Sequence, residues 1–228
     1  LAASVTASGT EDAASITIAL SGSDTEDSSV ASFKIKSLPA DGTLYSDSGL
    51  NSAISVNATI SASSNAANVY FVPSANWNGT TTFDYTSIDS NSVESSEAQA
   101  TITVTAANDL PTSTADSISV VEDTNYTLSE SDFGAYSDTD GDALTKVQIT
   151  GLPGTGTLQL YDGSSSWDNV SADAEITVAQ LANGYLRYVP AANGNGPDYA
   201  TISFKVHDGT GYSANAYALD ITVAPIND

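Results

Sequence analysis

Apolar and polar residues alternate in short runs along almost the whole chain, and helical spacing is nearly absent. Ala100-Thr101-Ile102-Thr103-Val104-Thr105 puts Ile102 and Val104 on one face of an extended segment and three threonines on the other. The same alternation turns Ile202, Phe204 and Val206 inward late in the chain, and Phe83 and Tyr85 at the matching place earlier. In the second half, strand-like runs fall near residues 118–121, 126–128, 144–150, 157–161, 174–178, 201–206 and 217–223, with turn-rich stretches between them. Residues 178–182 are the one place where a helical turn fits.

The pattern occurs twice. Glu11-Asp12 returns as Glu122-Asp123, and Leu38-Pro39-Ala40-Asp41-Gly42-Thr43-Leu44 as Leu152-Pro153-Gly154-Thr155-Gly156-Thr157-Leu158. Phe71-Val72-Pro73 returns as Tyr188-Val189-Pro190, and Ile102-Thr103-Val104 as Ile221-Thr222-Val223. The spacing between matches grows from 111 to 114, 117 and 119, in steps that fall between strands as loop insertions do. Ala106-Ala107-Asn108-Asp109-Leu110-Pro111 closes the first copy, and Ala224-Pro225-Ile226-Asn227-Asp228 closes the second. The expected organisation is two domains, residues 1–108 and 109–228. About seven short strands in each predict an all-β chain of two tandem β-sandwiches, cadherin-like or immunoglobulin-like. Leu1 opens in mid-pattern, so the chain reads as a piece of a longer array.

Composition narrows the partners. The formal charge of -23 is shared, with 12 acids against 2 bases in residues 1–110 and 16 against 3 in residues 111–228. Such a chain lacks the cations that neutralise nucleic-acid phosphates or anionic lipid. No apolar run approaches a membrane span, and no direct membrane insertion is expected. The 40% apolar content and 11 tyrosines argue for a packed core rather than an acidic disordered tail. No cysteine is present to staple the fold.

The acids are placed where a sandwich collects loops. Strands that alternate in direction carry Glu11, Asn108, Asp109, Asp138, Asp140 and Asp208 toward one junction between the copies. Packed carboxylates repel unless a cation neutralises them. Calcium accepts six to eight oxygens in irregular geometry, whereas magnesium demands a tighter octahedron. Zinc lacks its usual ligands, with no cysteine and one histidine. Asp138-Thr139-Asp140-Gly141-Asp142 is not an EF-hand loop, because Ile149 stands where the twelfth-position glutamate belongs.

Taken together, Glu-Asp near the start, Asp-x-Asp-Gly-Asp, Leu-Pro-x-x-Gly-Thr-Leu, Tyr-x-Pro with a following Asn, and a terminal Asn-Asp resemble the cadherin-like tandem repeats of large bacterial surface adhesins. The RTX adhesins secreted by Gram-negative bacteria are among these. The resemblance spans the chain twice. It implies a calcium-rigidified extender, extracellular at the cell surface, that projects a binding tip and has neighbouring repeats as its partners. It also implies an upper site in the first copy from Asp24, Glu26 and Asp89, where Asp24-Thr25-Glu26-Asp27-Ser28 departs from Asp-x-Asp-Gly-Asp. Glu122, Asn227 and Asp228 would make half of a further site.

Other signals read more simply as structure. Leu152-Pro153-Gly154-Thr155-Gly156 lacks the apolar segment and basic tail of a cell-wall sorting signal, and is read as a turn. His207 beside Asp208 has Ile88 at its counterpart and no nucleophile elbow nearby, so no enzyme is expected. Trp77 and Trp167 do not align between copies and are expected as partly buried loop side chains. A ligand-binding module, with a glycan or peptide taken around either tryptophan, is the competing reading.

Overall fold

The computed structural model describes residues 1–25 and 29–227. The chain divides into two compact units, Leu1–Ala107 and Asn108–Asp228. Asn108, which the sequence put at the end of the first domain, groups with the second.

In the first unit, β1 (Val5–Thr10), β2 (Ile16–Ser21), β3 (Val30–Ile35), β4 (Gly42–Tyr45), β5 (Thr59–Ser61), β6 (Ala66–Pro73), β7 (Gly79–Asp89) and β8 (Ala98–Thr105) form two sheets. One has the order β1-β8-β7-β3-β5 and the other β2-β6-β4. The first strand runs parallel to the last, with Val5 opposite Ala100 and Thr10 opposite Thr105. Neighbouring pairs such as β7 and β8 are antiparallel. Ile16, Ile18 and Leu20 from the smaller sheet meet Phe33, Ile35, Phe83, Tyr85, Ile102 and Val104 from the larger one. β2 and β8 bury alternate residues almost throughout, which is why period-two patterning reads through to the fold. The buried Tyr85 phenol donates to the carbonyls of Ala3 and Ser21, and burial raises its pKa.

The second unit repeats this plan with β9 (Asp116–Val121), β10 (Tyr126–Thr127), β11 (Lys146–Gly151), β12 (Thr157–Tyr161), β13 (Trp167–Asn169), β14 (Ala174–Thr177), β15 (Leu186–Val189), β16 (Gly196–His207) and β17 (Tyr217–Ala224). Its sheets are ordered β14-β11-β16-β17-β9 and β10-β15-β12-β13. Again the first strand lies parallel to the last. Ile202, Phe204 and Val206 are fully buried, as are Ile149, Leu186 and Tyr188. A helical turn, α1 (Val178–Ala182), follows β14 and buries Leu181. Its capping box is local: Thr177 Oγ1 accepts from the Gln180 N–H at 3.2 Å, and Gln180 Oε1 accepts from the Thr177 N–H at 2.9 Å. No helix among the described residues is long and apolar enough to cross a membrane.

Two strands lie outside the expected seven. β15 carries the Tyr188-Val189-Pro190 motif, and β13 is a short polar edge strand where the first unit has, among the described residues, a single bridge between Tyr45 and Ala53. A 3-10 turn at Glu130–Phe133 also departs from the expected plan, packing Phe133 edge-on against Phe204 at 5.0 Å.

The surface ion pairs yield one pH prediction. Glu94 accepts from Lys36 at 3.0 Å, from Thr86 at 2.9 Å and from Lys34 at 3.3 Å. These partners, Lys36 first, lower its pKa from 4.5 to about 2. A depressed carboxylate favours the fold above its unfolded value, and that contribution is lost as pH falls from about 4.5 toward 2. A carboxyl NMR titration should show Glu94 with its midpoint near 2, moving back toward 4.5 in Lys36→Met. An unmoved midpoint would remove the lysine as its cause.

Candidate metal centre

Three carboxylates of the second unit, Asp138, Asp140 and Asp142, cluster in a loop that its N-terminal segment meets. Thr112 and Ser137 exchange backbone hydrogen bonds at 2.8 and 2.9 Å, fastening the segment after Asn108-Asp109 to the start of the Asp138 loop. Gly141 sits at φ 82 in that loop, a left-handed conformation a side chain rarely adopts, and so lets the chain turn back between two aspartates. The carboxylates of Asp138, Asp140 and Asp142 supply oxygens that all lie within 4.8 Å of one another. Asp138 Oδ1 accepts from the Asp142 N–H at 3.1 Å, and Asp140 Oδ2 accepts from the Asp109 N–H at 2.7 Å. Asp138 Oδ2 is buried with no hydrogen-bond partner among the described residues.

Asp208 enters from the turn after β16. Its Oδ1 accepts from the N–H groups of Thr210 and Gly211, and its Oδ2 accepts from Asn108 Nδ2 at 3.1 Å. Burial opposes its ionisation, but the Gly211 and Thr210 N–H groups, the Asn108 amide and His207 outweigh that and hold its pKa below the usual aspartate value. Tyr136 reports the field of the cluster. Its phenol donates to the Asp142 carbonyl at 3.0 Å, and its pKa is pushed up to about 12 by burial, then by Asp138, Asp208 and Asp142.

The unit's own cations are committed elsewhere. Lys146 pairs with Glu175 at 2.7 Å, Lys205 donates to the Ala214 carbonyl, and Arg187 binds Gln159. What stands at the cluster is a set of carboxylate and carbonyl oxygens, one of them a buried carboxylate oxygen without a donor among the described residues. Hard oxygen donors at irregular spacing fit calcium.

The Glu-Asp motif has a repeated structural meaning. Glu11 is 3% exposed at the end of β1, where it accepts from the Ala107 N–H at 2.7 Å and from Asn78 Nδ2 at 3.3 Å. Glu122, also 3% exposed, accepts from the Ile226 N–H at 2.7 Å and from Asn195 Nδ2 at 2.8 Å. Each buried glutamate thus clamps the backbone immediately before an Asn-Asp pair. Asn227 is exposed after its clamp, and Asp228 lies outside the described residues.

In the first unit, Asp24 and Asp89 line one shallow depression with Leu1, Val30 and Val93. Asp89 Oδ1 accepts from Asn91 and Val93 N–H groups, repeating the Asp208 turn. Glu26 lies outside the described residues. Residues absent from the sequence-derived ligand set are Asp142, which completes the carboxylate cluster, and Asn78 and Asn195, which hold the glutamates. Asp142 was signalled by the alternation of Asp138, Asp140 and Asp142.

His207 is engaged by its surroundings. Its Nδ1 accepts from the Gly209 N–H at 2.8 Å and lies 3.2 Å from Thr145 Oγ1, while its ring meets Tyr212 edge-on at 4.4 Å. Trp77 is a partly buried loop residue packed against the first unit's core. Trp167, expected in a loop, lies in β13, because Tyr161 pairs with it across the sheet.

Residues 108–219 match the protein-family model described as a bacterial Ig domain. No curated protein matches the chain. Among solved structures, Drosophila N-cadherin EC1-4 is 13% identical with a TM-score of 0.46, covering 97% of this chain and 49% of that one. An endo-fucoidan hydrolase of glycoside hydrolase family 107 is 19% identical with a TM-score of 0.30, and the match spans 86% of this chain and 24% of the hydrolase. A structure of titin domains z1z2 in complex with telethonin is 15% identical with a TM-score of 0.29, covering 99% and 94%. These likenesses carry nothing about activity. With the family match and the sheet topology, the fold class is immunoglobulin-like β-sandwich, an architecture common among structural and adhesive extracellular segments.

Proposed function

We propose that the chain is a calcium-rigidified extender segment of a bacterial surface adhesin of the cadherin-like, RTX-associated kind, without enzymatic activity of its own. Calcium is held by Asp138, Asp140, Asp142 and Asp208 with Asn108 and Asp109, and Glu11 holds the backbone that leads into them. The supporting observation is the buried Asp138 Oδ2, left without a donor beside two further carboxylates. Neutralising these acids removes their repulsion and fixes the segment following Ala107, whose own N–H is already held by Glu11. Flexibility at repeat boundaries is thereby reduced, and a binding tip is carried outward from a Gram-negative cell. Asp24 with Asp89, and Glu122 with Asn227, are the corresponding ligands toward further repeats.

Calorimetric titration of calcium into the chain tests this reading. The wild type should bind calcium, and Asp138→Asn should weaken the strongest site by about tenfold or more, as loss of one charged hard ligand predicts. An unchanged isotherm in Asp138→Asn would remove the cluster as the site.

A further inference from the structure

The second unit carries a feature that its own fold does not require. On the outward face of β12 and β15, Tyr161 lies 5.4 Å from the Trp167 ring and 5.2 Å from the Tyr185 ring. The Arg187 guanidinium lies over Trp167, 3.9 Å from the ring centroid. Gln159 braces it, accepting from Arg187 Nε at 3.0 Å and Nη2 at 2.7 Å, and donating to Asn169 Oδ1 at 3.1 Å. The inward neighbours Leu158, Leu186 and Tyr188 fill the core, so this row faces away from it. All three rings remain half-buried rather than covered.

The first unit builds the same sandwich without this arrangement. Its corresponding sheet has three strands rather than four, and Tyr45 opposite Tyr70 occupies the place of Gln159 opposite Arg187. Spacing between the copies grows from 114 to 117 between Leu44/Leu158 and Phe71/Tyr188, the interval that contains β13. The added strand is what brings Trp167 across from Tyr161. Its lead-in is preorganised by Asp162, which accepts from the backbone N–H groups of Ser164, Ser165 and Ser166 and from Ser164 Oγ. That acid is therefore turned into its own loop.

Charge selects the partner. Arg187 is the chain's only arginine, and in a protein of net charge -23 it makes none of the three ion pairs among the described residues. Gln159 occupies the Nε and Nη2 side of the guanidinium, leaving further N–H groups of the five for a planar acceptor. Aromatic faces take up the apolar C–H face of a pyranose chair. Nucleic acid is disfavoured by the overall charge, whereas a single contact at Arg187 acts inside the screening length of about 8 Å at physiological salt.

We propose that the Tyr161–Trp167–Tyr185–Arg187 face is a glycan-binding platform for a hexuronate residue of an acidic polysaccharide. Trp167 and Tyr161 pack against the sugar ring, and Arg187 receives its carboxylate. The platform uses none of the calcium ligands, and its test is independent of theirs. Short oligogalacturonate is titrated by NMR into the full chain in millimolar calcium and physiological salt, with neutral oligogalactose in parallel. The Trp167 indole N–H and Arg187 Nε–H resonances should shift. Arg187→Gln and Trp167→Ala should each weaken binding by about tenfold or more while the remaining spectrum stays dispersed, and the neutral sugar should bind about tenfold less tightly. The β12–β13 pairing and the Gln159–Asn169 bond do not involve Arg187, so a loss in Arg187→Gln is not loss of the edge strand. Equal affinity for the neutral sugar, shifts confined to the Asp138–Asp142 loop, or no shifts at millimolar ligand would each overturn the proposal.

Discussion

Gly156→Val should destabilise the second unit by about 3 kcal/mol or more, while Gly154→Val, two residues earlier, should be nearly neutral. Both glycines belong to the Leu-Pro-x-x-Gly-Thr-Leu motif. A Cβ on Gly156 would lie 2.5 Å from Tyr188 Oη and 2.7 Å from its ring, where Tyr188 is fully buried and its hydroxyl donates to the Thr155 carbonyl at 2.8 Å. Gly156 also sits at φ 74, which a β-branched residue adopts only under strain. Overpacking and backbone strain therefore act together. At Gly154 an added Cβ meets nothing within 4 Å. Urea unfolding of the two variants measures the difference, and equal midpoints would show that the ring does not close on the glycine. The first copy makes the same point: a Cβ on Gly42 would lie 2.4 Å from the ring of Phe71. The motif is a seat for a buried aromatic ring.

The sandwich was legible because strands such as β2, β8 and β16 bury alternate side chains, so burial writes itself into the sequence every second residue. Phe83 with Tyr85, and Ile202 with Phe204 and Val206, are such pairs. β13 was not legible: Trp167-Asp168-Asn169 is an edge strand on an outward face, and nothing in its polarity alternates. Its pairing depends on Tyr161 across a hairpin. The acidic loops announced themselves by composition, and the glutamates by repetition. The asparagines that hold the glutamates lie 67 and 73 residues away from them, and no local pattern records a partner at that distance. Comparing Asn78 with Asn195 across the two copies was the only available signal.

Saturating calcium should raise the melting temperature of the second unit by about 10 °C or more. A ligand at a hundredfold excess over its dissociation constant stabilises the folded state by about 2.7 kcal/mol. For a domain of roughly this size, each kcal/mol is worth about 4 °C or more. The gain should come from relief of repulsion among Asp138, Asp140 and Asp142 and from a partner for the buried Asp138 oxygen. Asp138→Asn has one charge fewer to neutralise, so its calcium-free form should melt higher than the calcium-free wild type while its response to calcium shrinks. Differential scanning calorimetry in calcium and in chelator checks both directions. A calcium-free Asp138→Asn that melts below the calcium-free wild type would mean the carboxylate is held by protein contacts rather than poised for a cation.

Stiffening of the boundary between repeats by calcium is read by small-angle scattering of the whole chain in millimolar calcium and in excess chelator. A narrow distribution of interatomic distances is expected in calcium and a broader one on chelation, and Asp138→Asn should need about tenfold more calcium to narrow. Identical profiles in calcium and in chelator would contradict it, leaving Asp138, Asp140 and Asp142 as solvated turn residues.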